Sequence, residues 1–119
     1  MKRSYQTIEE LCVAYSNLPF YNKAMMNVAE NIVLLKNTLA PLLIVKGDLI
    51  KRHTNGKEAI RSDDPNWPLF IEEYNVSLNK ETEVEELKKL KKTDIDLDRA
   101  VSVNIQGFIA LLLSNGLLE

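Results

Sequence analysis

The clearest hydrophobic pattern in this 119-residue chain lies between residues 25 and 50. Apolar side chains recur there mainly at steps of three and four positions, at Met25, Val28, Ile32, Leu35, Leu39, Leu42 and Leu49. This spacing is typical of one face of an α-helix packed against other helices, and it predicts a long helix over about residues 20–53. A second apolar row widens that face and indicates a helix of the core; it comprises Ala29, Ala40, Leu43, Gly47 and Ile50.

Pro41 lies inside the pattern of the long helix. Because proline lacks a backbone donor and its ring crowds the carbonyl four residues earlier, we expect a kink over residues 38–41. Two separate helices that meet at Pro41 are the alternative.

A shorter helix is predicted on the N-terminal side. Thr7 with Glu10 three positions later has the form of a capping box, which starts a helix. The residue before a proline is pushed out of the α region, so this first helix should end at Leu18-Pro19.

Two more helices are predicted after a loop over residues 54–65, in which Asn55-Gly56 favours a turn with positive φ. Asp64 has the form of an N-cap with Pro65 at the first helical position. One face of this third helix carries Trp67, Phe70, Ile71, Tyr74 and Leu78. The last helix is expected from about Ser102 to Asn115, with Asn115-Gly116 as its left-handed end and Leu117 folding back onto it.

The segment over residues 82–98 fits either helix or strand. Thr82 with Glu85 is another possible capping box, and Val84, Leu87 and Leu90 are spaced by three, which favours helix. Residues 93–98 alternate polar and apolar, which favours an extended segment. We predict a helix followed by a short extended segment near residues 93–98.

These elements predict a mainly α fold: a small helical bundle, one domain over residues 1–119, built on the long proline-kinked helix. The composition, 45% hydrophobic and 27% charged, is that of a globular protein. The net charge of −2 makes nucleic acid an unlikely partner.

The single cysteine, Cys12, excludes an internal disulfide and indicates a reducing compartment. The polar start of the chain does not have the form of a secretory signal, and the longest apolar runs, residues 42–45 and 108–113, are too short to span a membrane. We therefore expect a cytoplasmic protein with no membrane partner.

Residues that could carry catalysis are sparse. The single histidine, His53, is better explained as a cation in the last turn of a helix than as a general base. The triplet Asp94-Asp96-Asp98 resembles the start of a calcium loop, but Arg99 and Ile105 stand where that loop needs glycine and glutamate. We predict no catalytic residues, metal site or cofactor, and hence a protein that is not an enzyme.

Surplus apolar residues indicate a protein partner instead. Trp67 and Phe70 could anchor one, although a core position is the commoner role for such aromatic residues. The remaining candidate interface residues are Leu42 and Ile44 in the long helix and Leu111 and Leu113 in the last helix. A second copy of the chain is one possible partner.

The order of several short motifs resembles an uncharacterised family of small helical proteins encoded by phages. These motifs include Asn17-Leu18-Pro19 ahead of the long helix, Asp48-Leu49-Ile50 near its end, Glu83-Val84-Glu85, and an apolar final helix. The resemblance implies a non-enzymatic structural or assembly component of a virion or tail, located in the host cytoplasm or the virion. The alternative is a monomeric phage protein that binds and inhibits or modulates a host protein.

Overall fold

The computed structural model of the chain describes residues 1–99 and 104–119. Four α-helices and a small antiparallel sheet make up the fold, in the order β1 (Lys2–Ser4), α1 (Tyr5–Asn17), α2 (Met25–Thr54), α3 (Trp67–Leu78), β2 (Glu81–Glu83) and α4 (Ile105–Ser114). Short 3₁₀ turns over Asn22–Ala24 and Lys92–Asp94 complete it. The predicted mainly helical fold is confirmed.

The long helix α2 runs without interruption through Pro41, so two helices meeting at that residue was the wrong alternative. The position tolerates proline because both Pro41 and Asn37 are exposed, and water can reach the Asn37 carbonyl that loses its helical donor. At 30 residues, α2 accounts for most of the molecule's longest dimension of 48 Å.

Two helix ends follow the predicted turn chemistry. α2 ends at Asn55, which has a φ of 57° and is followed by Gly56 with a φ of 93°. α4 ends in a Schellman motif, in which the N–H of Leu117 donates to the carbonyl of Leu112 and that of Gly116 to the carbonyl of Leu113. Gly116 has a φ of 71°, and Leu117 is buried, as the motif predicts.

All four helix starts differ from the prediction, and α2 begins at Met25 rather than near residue 20, after the 3₁₀ turn over Asn22–Ala24. α1 begins at Tyr5 because the Ser4 hydroxyl accepts from the Thr7 N–H at 3.1 Å, so the Thr7 capping box was wrong. α3 begins at Trp67, after a turn in which the Asp64 carboxylate accepts from the Asn66 N–H at 2.8 Å. In α4 the cap is Asn104; the predicted cap, Ser102, lies outside the described residues.

The helix predicted from Thr82 was wrong. Glu81–Glu83 forms β2, which pairs antiparallel with β1 so that Arg3 lies opposite Thr82. The chain then crosses the core in irregular form and buries Val84, Leu87 and Leu90. Of the predicted extended segment, residues 93–94 belong to a 3₁₀ turn, and Ile95 makes an isolated antiparallel bridge to Phe20.

A buried amide holds this irregular segment against α2. Asn31 has no exposed surface, and its side-chain NH₂ donates to the Tyr15 hydroxyl at 3.2 Å and to the Lys88 carbonyl at 2.9 Å. Its side-chain oxygen accepts from the Lys88 N–H at 2.8 Å. The core thus lies between α2, α1, α3 and the crossing segment, with α4 packed on α1.

Candidate functional site

The helix α2 carries apolar residues on two opposite faces. The inner face belongs to the core, where Val28, Leu35 and Leu42 are almost completely buried. The opposite side, here called the outer face, consists of Met26, Ala29, Val33, Ala40, Ile44 and Gly47. At about 100° per residue, these six positions fall within a narrow stripe directed away from the core.

The outer face is uncovered by the described part of the chain. Met26 is 71% exposed, Val33 55% and Ile44 75%, and Leu43 beside the stripe is 57% exposed. A shallow groove runs along its first turns, lined by Met26, Ala29, Glu30, Val33 and Leu34. Along these first turns the apolar side chains therefore form one surface rather than scattered single contacts with water, and such surfaces mark interaction sites.

Charges border the outer face without interrupting it. On one edge the Glu30 carboxylate is paired with the Lys88 ammonium, so that its charge is already balanced within the chain. Lys36 and Asp48 stand on the edges, and the Asp48 carboxylate pairs with Arg52 at 2.9 Å, one turn later. The face thus has the apolar centre and charged border of a surface that packs against another helix.

By length and composition alone, the helical stretch Asn22–Thr54 could also cross a membrane. Its most apolar 18-residue window has a mean hydropathy of 1.5, and 28% of that window is buried. The core explains the inner face of this stretch. Packing within the chain gives no reason for the apolar residues of the outer face.

Of the six predicted interface residues, two were wrong. Leu42 and Phe70 are each only 2% exposed and belong to the core. Trp67 packs partly buried against Phe70, with 5.5 Å between the ring centroids. Leu111 is partly buried, and Leu113 is 40% exposed on α4. Ile44 alone of the six lies on the outer face.

The second apolar row of the long helix was also misassigned. It was expected to widen the core face, yet Ala29, Ala40 and Leu43 are exposed, and of that row Ile50 is buried. Sequence analysis missed Met26 and Val33 as interface residues. The signal that could have found them is the seven-residue repeat of Met26, Val33, Ala40 and Gly47, which runs on the side opposite to the core leucines.

The side chains that could take part in catalysis or metal binding have structural roles in the fold. Cys12 packs partly buried against the core, and burial raises the pKa of its thiol. His53 lies in the last turn of α2, and its Nε2 is 3.5 Å from the Glu73 carboxylate on α3. The carboxylates of Asp94 and Asp96 accept backbone N–H groups of their own turns. Within residues 1–99 and 104–119, no group of three or more potential metal ligands is clustered.

Comparisons of the chain with models of protein families, with curated proteins and with solved structures found no match. The resemblance to phage-encoded proteins therefore stays a prediction.

Proposed function

We propose that this chain is a non-enzymatic assembly protein that associates with a second copy of itself through the outer face of α2. The observation that carries the proposal is the stripe from Met26 to Gly47, about 33 Å long at the helical rise. Exposed apolar residues that occur singly need no explanation, whereas a row repeated every seven residues has the geometry of helix–helix packing.

The sizes of the outer-face residues support an antiparallel pair of α2 helices. With the two-fold axis between Lys36 and Asn37, Met26 lies opposite Gly47 of the second copy. In the same arrangement Ala29 lies opposite Ile44, and Val33 lies opposite Ala40. Each larger side chain then meets a smaller one, which lets the two helices approach closely and leaves few gaps.

A C2 arrangement of this kind uses the same surface on both copies and closes after two subunits. The resemblance to small phage-encoded proteins supports a role for such a dimer in virion or tail assembly, within the host cytoplasm. In the alternative role, a monomer would use the outer face to bind a host protein.

Sedimentation velocity over a wide concentration range tests the proposal. We expect a dimer for the unmodified chain and a monomer for Val33→Asp, because association would remove the introduced carboxylate from water at a high desolvation cost. Val76→Asp is the matched control, since Val76 is 62% exposed on α3, away from the outer face, and should leave the dimer intact.

A chain that stays monomeric at all concentrations would refute self-association. A dimer that persists unchanged in both Val33→Asp and Ile44→Asp would place the interface elsewhere. Circular dichroism of each variant separates loss of association from loss of folding, because the outer face makes no contribution to the core.

A further inference from the structure

A buried cation without a carboxylate partner lies at the sheet. Arg3 occupies the centre of β1 and is only 8% exposed. Its guanidinium donates from Nε to the Asn115 side-chain oxygen at 3.3 Å and from Nη2 to the Asn115 carbonyl at 3.2 Å. Both acceptors are neutral, and within the described part of the chain Arg3 forms no ion pair.

The end of α4 balances only part of this charge. Asn115 is the C-cap of α4, where the helix dipole places the equivalent of about half a negative charge. Arginine is rarely buried without an opposite full charge, because its removal from water is costly. The arrangement therefore holds the guanidinium in one orientation and leaves it able to accept an anion.

Arg3 lines a cavity of about 400 Å³ between the N-terminal strand, the segment after β2 and the end of α4. Val84, Leu87 and Leu117 contribute apolar walls, and Lys89 also lines the cavity. Among the described residues the remaining nitrogen of Arg3, Nη1, has no hydrogen-bond partner. Arg3 therefore lines the cavity and keeps a donor that no described group uses.

We propose that this cavity binds a small monocarboxylate with an apolar body, whose carboxylate accepts from Arg3. A guanidinium presents its donors in a planar fork that matches a carboxylate, and the apolar walls match a hydrocarbon body. A phosphate dianion fits less well, because the carboxylates of Glu85 and Glu86 line the same cavity and would repel a second negative charge. The volume is at the lower end of small-molecule sites.

The first experiment is a titration of the ¹⁵N-labelled chain with benzoate at constant ionic strength, followed by NMR. We expect saturable shifts of the Arg3 Nε–H signal and of the Gly116 and Leu117 amides. Benzamide, which has the same shape without the charge, and inorganic phosphate should each bind at least about tenfold more weakly. Equal binding of benzamide, tighter binding of phosphate, or no saturable shift at these groups would overturn the proposal.

Variants separate the charge of Arg3 from its structural role. Arg3→Gln should weaken benzoate binding by about tenfold or more, and Arg3→Lys should fall between because it keeps the charge without the fork. Lys2→Gln, next to it on β1 and exposed, is the matched control and should bind as the unmodified chain does. If Arg3→Gln does not fold, Arg3→Lys still tests the proposal, since unchanged affinity in that variant would contradict recognition of the carboxylate by the guanidinium.

Discussion

Replacement of the buried Asn31 by alanine should destabilise the fold more than any change on the surface of α2. The Asn31 side chain makes three hydrogen bonds, one to Tyr15 on α1 and two to the backbone of Lys88. It is the buried polar link between the long helix and the irregular segment that follows β2, which the exposed Glu30–Lys88 ion pair also connects. Alanine removes all three bonds and leaves a gap where the amide stood.

The magnitude follows from these contacts. Each hydrogen bond contributes about 1 kcal/mol net, and the N–H and carbonyl of Lys88 lose their partners in a partly buried place, where each unsatisfied group costs about 1–3 kcal/mol. Counting the lost bonds once, and allowing water to reach part of the Lys88 backbone, we expect the free energy of unfolding to fall by about 3–4 kcal/mol. This is at the upper end of the range for single substitutions.

Urea denaturation followed by circular dichroism measures this change. The matched control is Asn75→Ala, at an exposed position within α3, which carries the same change in helix propensity and should stabilise by about 0.5 kcal/mol or less. Hydrogen exchange should also show earlier opening of the Lys88 amide in Asn31→Ala. A loss below about 1 kcal/mol relative to the control would refute the assignment of Asn31 as the polar link.

Three further predictions concern the proline, a helix end and alkaline pH. Pro41→Ala should raise the free energy of unfolding by about 1–3 kcal/mol in urea denaturation, because it restores a helical donor at an exposed site; a loss of stability would contradict this. Gly116→Ala should lower it by about 1 kcal/mol, since the φ of 71° is unfavourable for alanine even though the added Cβ would meet no atom within 4 Å. Burial raises the pKa of Tyr15 from 10.0 to about 12, so the unfolded chain ionises first. The contribution of Tyr15 to stability should be constant below pH 10 and fall by about 2–3 kcal/mol as the pH rises to 12. Tyr15→Phe should reduce this slope without abolishing it, because burial also raises the pKa of Tyr74 to about 12.

The features that could be predicted from the sequence are those whose structure depends only on residues close to each other in the chain. The three-and-four spacing of the leucines specifies α2, and the Asn-Gly pairs at residues 55–56 and 115–116 specify left-handed ends whatever the rest of the chain does. Helix starts were less predictable because competing caps lie close together, as Ser4 and Thr7 do at α1.

The segment after residue 80 was mispredicted because its structure depends on distant partners. Val84, Leu87 and Leu90 have a helical spacing, but β1, about 80 positions earlier, offers strand pairing, and the Asn31 amide offers bonds to the backbone of Lys88. A spacing of three also suits an irregular chain that buries every third residue. Periodicity alone could not distinguish the two.

The outer face of α2 could not be predicted from the apolar pattern for a similar reason. A wide apolar pattern on a helix shows that many positions avoid water, but not which of them the rest of the chain covers. The tertiary packing around α2 decides this, since it buries Val28 and Leu35 and leaves Met26 and Val33 exposed. The Arg3 cavity could not be predicted at all, because Arg3 and Asn115 are brought together by tertiary structure across 112 positions.

The two faces of α2 make folding and association separable. Substitutions on the inner face remove core contacts and should lower the stability of monomer and dimer alike, whereas Val33 and Ile44 make few contacts within the chain. Polar substitutions at those two positions should therefore abolish association at unchanged monomer stability. The stability of the unmodified chain should in turn rise with protein concentration, because a dimer that dissociates on unfolding is favoured by mass action. That concentration dependence should vanish in Val33→Asp, which makes thermal unfolding an independent measure of the same interface.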